Sequence, residues 1–371
     1  MKRIAYFTDN FPPRIGGVAT YSFELPYFLK KIHPEIEVEV FVFALDAKKE
    51  NIGDLKIKTL KKKSLIYLAI NIFKIIKNGN FDVVHTTTFF PVGFFVALFS
   101  KMFSIKSYLT VYGTEVVTTS GSLITKVVQS LTLKLVYKIL AFSQSTKKLM
   151  IQRHKLSDSK VEVIYPGISS LELSESYNVR EKFKIQPDDF VILFVGRLVE
   201  RKGALDLIKA VEQLKDDKLK LILVGGGDKQ ELESYVKKNN ISHQIIFAGA
   251  VKREEILNYY RSAQVFSMPS FFDVSKDDVE GLGIVYLEAQ INGLPVIGTN
   301  SGGIPEAISD NKSGFIVEPR NISDLSTKIK LLKNDHDLYK KMSQKTVDFV
   351  KDNFSWQKNI NQHLVIYKNK K

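Results

Sequence analysis

Two glutamates eight residues apart, Glu280 and Glu288, enclose the turn Gly281-Leu282-Gly283-Ile284-Val285, with Asp277 and Asp278 just upstream. Glycines let a backbone approach a ligand closely, and the apolar run after them predicts a helix whose N-terminus favours phosphate. The carboxylates can accept hydrogen bonds from hydroxyl groups. An acidic pair beside phosphate is repulsive unless both members aim at hydroxyls. A polyhydroxylated ligand carrying phosphate resolves that conflict, and a nucleotide sugar is such a ligand. Two glutamates on a solvated helix face are the plainer alternative.

A second candidate is Gly196-Arg197-Leu198-Val199-Glu200-Arg201-Lys202-Gly203, where three cations fall within six residues directly after an apolar run. Arginine offers a planar fork and lysine a point charge, which together suit a diphosphate. A solvated charge cluster is the alternative. Gly16 and Gly17, ahead of a helical pattern, suit either a backbone contact to an anion or a tight turn. Val224-Gly225-Gly226-Gly227-Asp228 fails the dinucleotide fingerprint because Gln230 stands where its last glycine belongs. Thr299-Asn300-Ser301-Gly302-Gly303-Ile304-Pro305-Glu306 makes a further turn from strand to helix.

Other chemistries lack their residues. The chain has no cysteine, so disulfides, thiol nucleophiles and cysteine-bound metals are excluded. Its six histidines (33, 85, 154, 243, 336 and 363) show no H-x-x-x-H spacing, and Asp335-His336-Asp337 reads as a polar turn. No metal and no cofactor are expected.

These loops must be held by regular elements. Short apolar runs at Ile4–Phe7, Val38–Phe43, Val83–His85, Tyr108–Val111, Ile139–Phe142 and Val161–Ile164 predict buried strands, alternating with helical patterns such as Val18–Lys31 and Leu65–Lys77. The rhythm repeats with strands at Val191–Val195, Leu219–Val224, Ile245–Ala248, Val265–Met268, Val296–Thr299 and Phe315–Val317. Such alternation predicts an α/β chain of two doubly wound, Rossmann-like domains facing a central cleft, with ligands at the carboxyl ends of strands. The expected domains are residues 1–168 and 169–352. A last helix, about 353–371, has no strand after it and is expected to pack back on the first domain. A length of 371 residues suits two domains, and 44% apolar with 25% charged residues excludes a wholly disordered chain.

The net charge of +14 is uneven: residues 1–168 hold 24 Lys+Arg against 12 Asp+Glu, and the remainder 30 against 28. A basic half suggests an anionic partner. Lys61-Lys62-Lys63 followed by Ser64-Leu65-Ile66-Tyr67-Leu68-Ala69-Ile70 reads as a basic apolar helix, either in a bilayer interface or in the core behind a solvated lysine run. No nucleic-acid-binding signature accompanies the charge, so nucleic acid is not expected as a partner. The first residues, MKRIAYFTDNFPP, read as a strand rather than a secretory signal. Phe89–Phe99, the longest apolar stretch, contains Pro91 and Gly93 and reads as a buried helix.

Across nearly the whole chain and in this order, four motifs resemble those of retaining glycosyltransferases of the GT-B fold, family 4. They are the glycine-rich N-terminal loop, Gly196-Arg197-Leu198-Val199 with Lys202-Gly203, the Glu280-x7-Glu288 segment, and Ser301-Gly302-Gly303-Ile304-Pro305-Glu306. Val279–Ala289 is most similar to the phosphatidylinositol α-mannosyltransferases that use GDP-mannose. The resemblance implies that Arg197 and Lys202 hold the donor diphosphate and, with Glu280, form the catalytic group. It implies that Glu280 and the backbone of Gly281, Leu282, Gly283, Ile284 and Val285 contact the donor sugar and phosphate. Glu288 would accept from the ribose hydroxyls, Val251 would lie near the base, and Gly16 and Gly17 would face the diphosphate across the cleft.

Many relatives carry a histidine in the loop written here Thr110-Val111-Tyr112-Gly113-Thr114-Glu115, where this chain has Tyr112. Tyr112 and His85 are therefore the candidate contacts to sugar or acceptor. The implied reaction moves a hexose, with mannose from GDP-mannose favoured over UDP-glucose-type donors. Its acceptor is lipid-linked or a glycan, met by a peripheral protein at the cytoplasmic face of the cell membrane. A sugar-nucleotide epimerase or phosphorylase on the same fold, and a non-catalytic nucleotide-sugar-binding protein, are the alternatives.

Overall fold

Apolar runs too short for helices form two parallel sheets in the computed structural model, which describes residues 1–14, 16–44, 54–61, 64–113, 123–169, 176–272 and 279–369. Lys62, Lys63, Thr114, Glu115, Asp277 and Asp278, all named above, lie outside the described residues. The chain divides into a unit of Met1–Gly167 with Trp356–Lys371 and a unit of Ile168–Ser355.

The first unit runs β1 (Arg3–Thr8), α1 (Gly17–Ile32), β2 (Glu37–Ala44), β3 (Lys56–Lys61), α2 (Leu65–Asn78), β4 (Val83–Thr86), α3 (Val92–Met102), β5 (Lys106–Val111), α4 (Leu123–Leu135), β6 (Lys138–Ala141), α5 (Gln144–His154) and β7 (Val161–Val163). Its sheet has the order β3-β2-β1-β4-β5-β6-β7. Strand β1 lies mid-sheet and is buried from Ile4 to Thr8, with Phe7 stacked on Phe41 at 5.0 Å between ring centroids. Strand β3 departs from the sequence reading. Its K-I-K-T-L-K pattern offers no apolar run, because an edge strand turns lysines outward where they block further pairing. Lys56 and Lys58 meet Glu37 and Glu39 of β2 at 2.9 and 2.5 Å.

The second unit runs α6 (Val179–Lys182), β8 (Phe190–Val195), α7 (Ala204–Leu214), β9 (Leu219–Val224), α8 (Gln230–Lys238), β10 (Ile245–Gly249), α9 (Ile256–Ser262), β11 (Val265–Ser267), α10 (Ile284–Ile291), β12 (Val296–Thr299), β13 (Gly314–Val317), α11 (Ile322–Asn334) and α12 (His336–Asn353). Its sheet has the order β10-β9-β8-β11-β12-β13. Asp335 caps α12, its Oδ1 accepting from the Leu338 amide at 2.9 Å. That gives the Asp335-His336-Asp337 sequence a structural purpose.

The last helix, α13 (Trp356–Lys368), belongs to the first unit. Its apolar side covers aromatic residues there: Trp356 stacks on Phe28 at 4.7 Å and on Tyr21 at 5.7 Å. A polar seam completes the contact. His85 of β4 meets the Tyr367 hydroxyl through Nδ1 and the Thr110 hydroxyl through Nε2, the latter at 2.8 Å. His363 lies 5.9 Å from His85 between ring centroids and uses Nδ1 on the Asn359 carbonyl at 2.9 Å.

This seam makes stability depend on pH. Burial, then the neighbouring His363, holds the His85 imidazole well below the usual histidine range, and burial takes His363 down to about 4. Tyr6 and Tyr367 face the pair and Tyr108 packs on Tyr367, all of them phenols that carry no charge to offset a proton. Both rings bind protons more weakly when folded than unfolded. Their contribution is therefore complete above about pH 6.5 and is lost as pH falls toward 4. Each histidine sets a slope of about 1.4 kcal/mol per pH unit, so denaturant titration should find about 3–4 kcal/mol less stability at pH 5 than at pH 7. His363→Leu should remove roughly half of that slope; an unchanged slope would contradict the assignment.

Candidate active site

In the second sheet the strand order reverses at β8, which has β9 on one side and β11 on the other. The crevice outside the carboxyl ends at such a switch point is where doubly wound sheets take ligands. The loop leaving β8 carries Gly196 to Gly203, and close backbone packing fixes its course. A Cβ on Gly225 would stand 1.8 Å from the Gly196 carbonyl oxygen, and the Leu198 amide donates to the Gly226 carbonyl at 2.8 Å. The triple glycine that fails as a dinucleotide fingerprint is thus the seat of the Arg197 loop.

Segment 279–283 is seated in the same way. A Cβ on Gly303 would come 1.9 Å from the Gly281 carbonyl oxygen, and the Gly303 amide donates to the Glu280 carbonyl at 3.0 Å. Ser301-Gly302-Gly303 therefore supports the backbone that presents Glu280. Helix α10 starts immediately after Gly283 and carries Glu288 on its second turn.

Lys202 and Glu280 form an ion pair, and Arg201 Nη1 reaches the same Glu280 oxygen, Oε2, at 3.1 Å. The side chains of Arg201, Lys202 and Glu280 are only 5%, 11% and 14% exposed, so these charges interact with little solvent screening. Burial alone would raise the Glu280 carboxyl, but Lys202 and then Arg201 outweigh it and hold the group below its ordinary value. Burial lowers the Lys202 ammonium, with Arg201 and Arg197 adding to the effect and Glu280 opposing it. Arg197 is exposed at the start of the loop.

Glu288 is buried and held at both oxygens: Oε1 by Arg253 Nη1 at 2.9 Å and Oε2 by the Tyr260 hydroxyl at 3.1 Å. Val251 is half-buried two residues before Arg253, after β10. Among the sequence candidates of the second unit, the structure thus joins Lys202 to Glu280 directly and ties Glu288 to the Val251 loop through Arg253. Leu282, Gly281 and Gly283 are buried, while Ile284 and Val285 are half-buried at the head of α10.

Three participants lie outside the sequence candidates. Arg201 is counted there among three cations without a part of its own, and only its burial separates it from Arg197. Arg253 and Tyr260 lie 35 and 28 residues from the glutamate they hold, a pairing that no local pattern signals.

In the first unit, Gly16 and Gly17 are exposed at the start of α1, Gly16 just ahead of it and Gly17 its first residue, with Gly16 at φ +142° and open space where a Cβ would stand. The second sugar or acceptor candidate, His85, lies in the seam under α13. It is fully buried with both ring nitrogens engaged, and so ties α13 to the sheet. Tyr112 stands just after β5 with its hydroxyl buried and its ring edge-on to Phe142 at 4.7 Å and Tyr21 at 6.0 Å. The structure gives it a packing role.

Among the described residues no group of three or more His, Cys, Asp or Glu side chains could hold a metal ion.

Comparison with known proteins bears on this arrangement. HepE of Anabaena, in a crystal structure with UDP and glucose, superposes with a TM-score of 0.76 over 98% of both chains at 19% identity. Paired Rossmann-like units of seven and six parallel strands are the GT-B fold of glycosyltransferases. The family model described as glycosyltransferase family 4 matches residues 15–170, and that of glycosyl transferases group 1 matches residues 176–348. An uncharacterised glycosyltransferase of Methanocaldococcus jannaschii is 30% identical over 93% of this chain and 92% of its own. A GDP-mannose-dependent monoacylated α-(1-6)-phosphatidylinositol monomannoside mannosyltransferase of Corynebacterium glutamicum is 29% identical over 86% of this chain and 85% of its own. The chain belongs to the family 4, group 1 glycosyltransferases and is an enzyme of that transferase class.

Proposed function

We propose that the chain is a retaining mannosyltransferase that takes mannose from GDP-mannose and gives it to a lipid-linked or glycan acceptor at the cytoplasmic face of the cell membrane. The observation that carries this reading is the buried Arg201–Lys202–Glu280 cluster at the switch point of the second unit. A nucleoside diphosphate leaves with negative charge developing on phosphate, and fixed cations in a site of low exposure stabilise that charge. In this reading Arg197 and Lys202 take the diphosphate, Glu280 accepts from sugar hydroxyls, and Glu288 accepts from the ribose. The acceptor oxygen attacks the anomeric carbon on the face that the diphosphate leaves. A phosphate oxygen takes the acceptor proton as the glycosyl–phosphate bond breaks. The GDP-mannose preference rests on similarity to the Corynebacterium enzyme, and the reading assigns no metal.

The membrane part rests on the first unit. Helix α2 exposes Leu65, Ile66 and Ile70, and an open groove of about 400 Å3 beside them is lined by Ala69, Ile70, Phe73, Lys74, Lys77, Asn78 and Phe99. Apolar side chains flanked by lysines suit an anionic lipid surface. Among the described residues no helix is long and apolar enough to cross a membrane.

Calorimetry with GDP, UDP, ADP and TDP, followed by product analysis with GDP-mannose and a panel of glycolipid and glycan acceptors, tests the proposal. The expected result is tightest binding of GDP and an α-mannoside product. Free mannose 1-phosphate, or an epimerised nucleotide sugar, would replace the proposal with a phosphorylase or an epimerase.

A further inference from the structure

We infer that Arg253 is a positioning residue for the nucleotide's ribose: it fixes the Glu288 carboxylate in the orientation that selects a ribonucleotide over its 2′-deoxy form. The inference rests on the proposed donor site and adds to it a residue that touches Glu288 rather than the reacting atoms.

Glu288 sits at the end of a short polar relay. Its Oε1 accepts from Arg253 Nη1 at 2.9 Å and its Oε2 from the Tyr260 hydroxyl at 3.1 Å, so the carboxylate is held at two points and cannot rotate about its last bond without breaking both. Tyr260 is itself fully buried, and burial, then the Glu288 charge, pushes its phenol well above the ordinary tyrosine range. The shift keeps the proton on the phenol that donates to Glu288. A carboxylate oxygen retains a second lone pair after accepting one hydrogen bond, so Glu288 can still receive hydroxyl donors from a ligand. Vicinal hydroxyls are such donors, and a carboxylate fixed in one plane distinguishes two hydroxyls from one.

Arg253 differs from Tyr260 in being reachable. Its side chain is 42% exposed, against 8% for Glu288, and it begins the turn Arg253–Glu255 that follows Val251 and Lys252. The guanidinium thus spans the gap between the loop after β10 and helix α10, joining the segment expected near the base to the carboxylate expected at the ribose. Losing it leaves Tyr260 as the one remaining support of Glu288 described above, with Oε1 free to swing.

The test is calorimetry of the full chain with GDP, 2′-deoxy-GDP, UDP and 2′-deoxy-UDP, for wild type, Arg253→Ala, Arg253→Gln and Arg253→Lys. Wild type should favour the better ribonucleotide over its deoxy form by at least about tenfold, the scale of a hydrogen bond to a charged group. Arg253→Ala should reduce that preference to less than about threefold while changing affinity for the deoxy form little, and Arg253→Lys should restore most of it. Should the alanine variant not fold, Arg253→Gln answers the same question, with a reduced preference expected because the charge is gone. Equal weakening of ribo and deoxy forms, or an undiminished preference in either variant, would overturn the positioning role. Wild type that binds none of the four nucleotides would instead overturn the donor-site reading itself, which separates the two failures.

Discussion

Lys202→Ala is expected to lower kcat/KM with a nucleotide-sugar donor by about 10²–10³, the scale on which loss of one preorganised donor to a developing anion is felt. The side chain is only 11% exposed and is held against Glu280, so its position is set before any ligand arrives. Such preorganisation spares the transition state the work of turning solvent dipoles toward the departing phosphate. Arg197→Ala, on the exposed start of the same loop, is expected to fall in the same range because its planar fork can reach two phosphate oxygens. Lys202→Arg should recover part of the loss, since charge is kept but shape is not. Initial rates at several donor concentrations measure the effect. Wild-type turnover in either alanine variant would remove the diphosphate clamp.

Glu280→Gln should separate binding from turnover. The substitution leaves Arg201 and Lys202, 5% and 11% exposed, without their shared carboxylate, and breaking a buried pair in this way costs about 3–5 kcal/mol. The unliganded variant should therefore melt well below wild type. A nucleoside diphosphate brings negative charge to the same cations, so it should raise the variant's Tm by more than it raises the wild type's. Its affinity should be equal or tighter, because the charge of Arg201 and Lys202 is no longer shared with a carboxylate. Turnover should nevertheless fall by about 10²–10³, since a neutral amide accepts more weakly from the sugar hydroxyls as positive charge grows on the ring. Thermal shift, calorimetry and single-turnover rates on one preparation distinguish the three effects. Unchanged kcat, or nucleotide affinity falling in step with kcat, would contradict the role given to Glu280.

The two sheets were legible because parallel strands are buried on both faces and appear as uninterrupted apolar runs, as Val191–Phe194 and Leu221–Val224 do. Strand β3 was not, since an edge strand needs only one covered face and can alternate with lysine. The loops after β8 and before α10 were legible as strings of glycine and charge. Their supports were not: Gly225 and Gly303 act through carbonyl groups that come near only in three dimensions. The surroundings of His85 were not legible, because a histidine at a strand's carboxyl end has the same sequence appearance whether it faces a ligand or a returning helix. What decides is α13, nearly 300 residues later, whose Tyr367 takes its Nδ1. Arg201 and Arg253 were hidden for a related reason, as the partner that gives each its place is distant along the chain.

A crystal structure of the full chain with GDP bound tests the central claim most directly. The diphosphate should lie within hydrogen-bond distance of Lys202 Nζ and the Arg197 guanidinium, with the ribose hydroxyls on Glu288. A nucleotide bound away from these three side chains, or one whose phosphates face solvent, would contradict it.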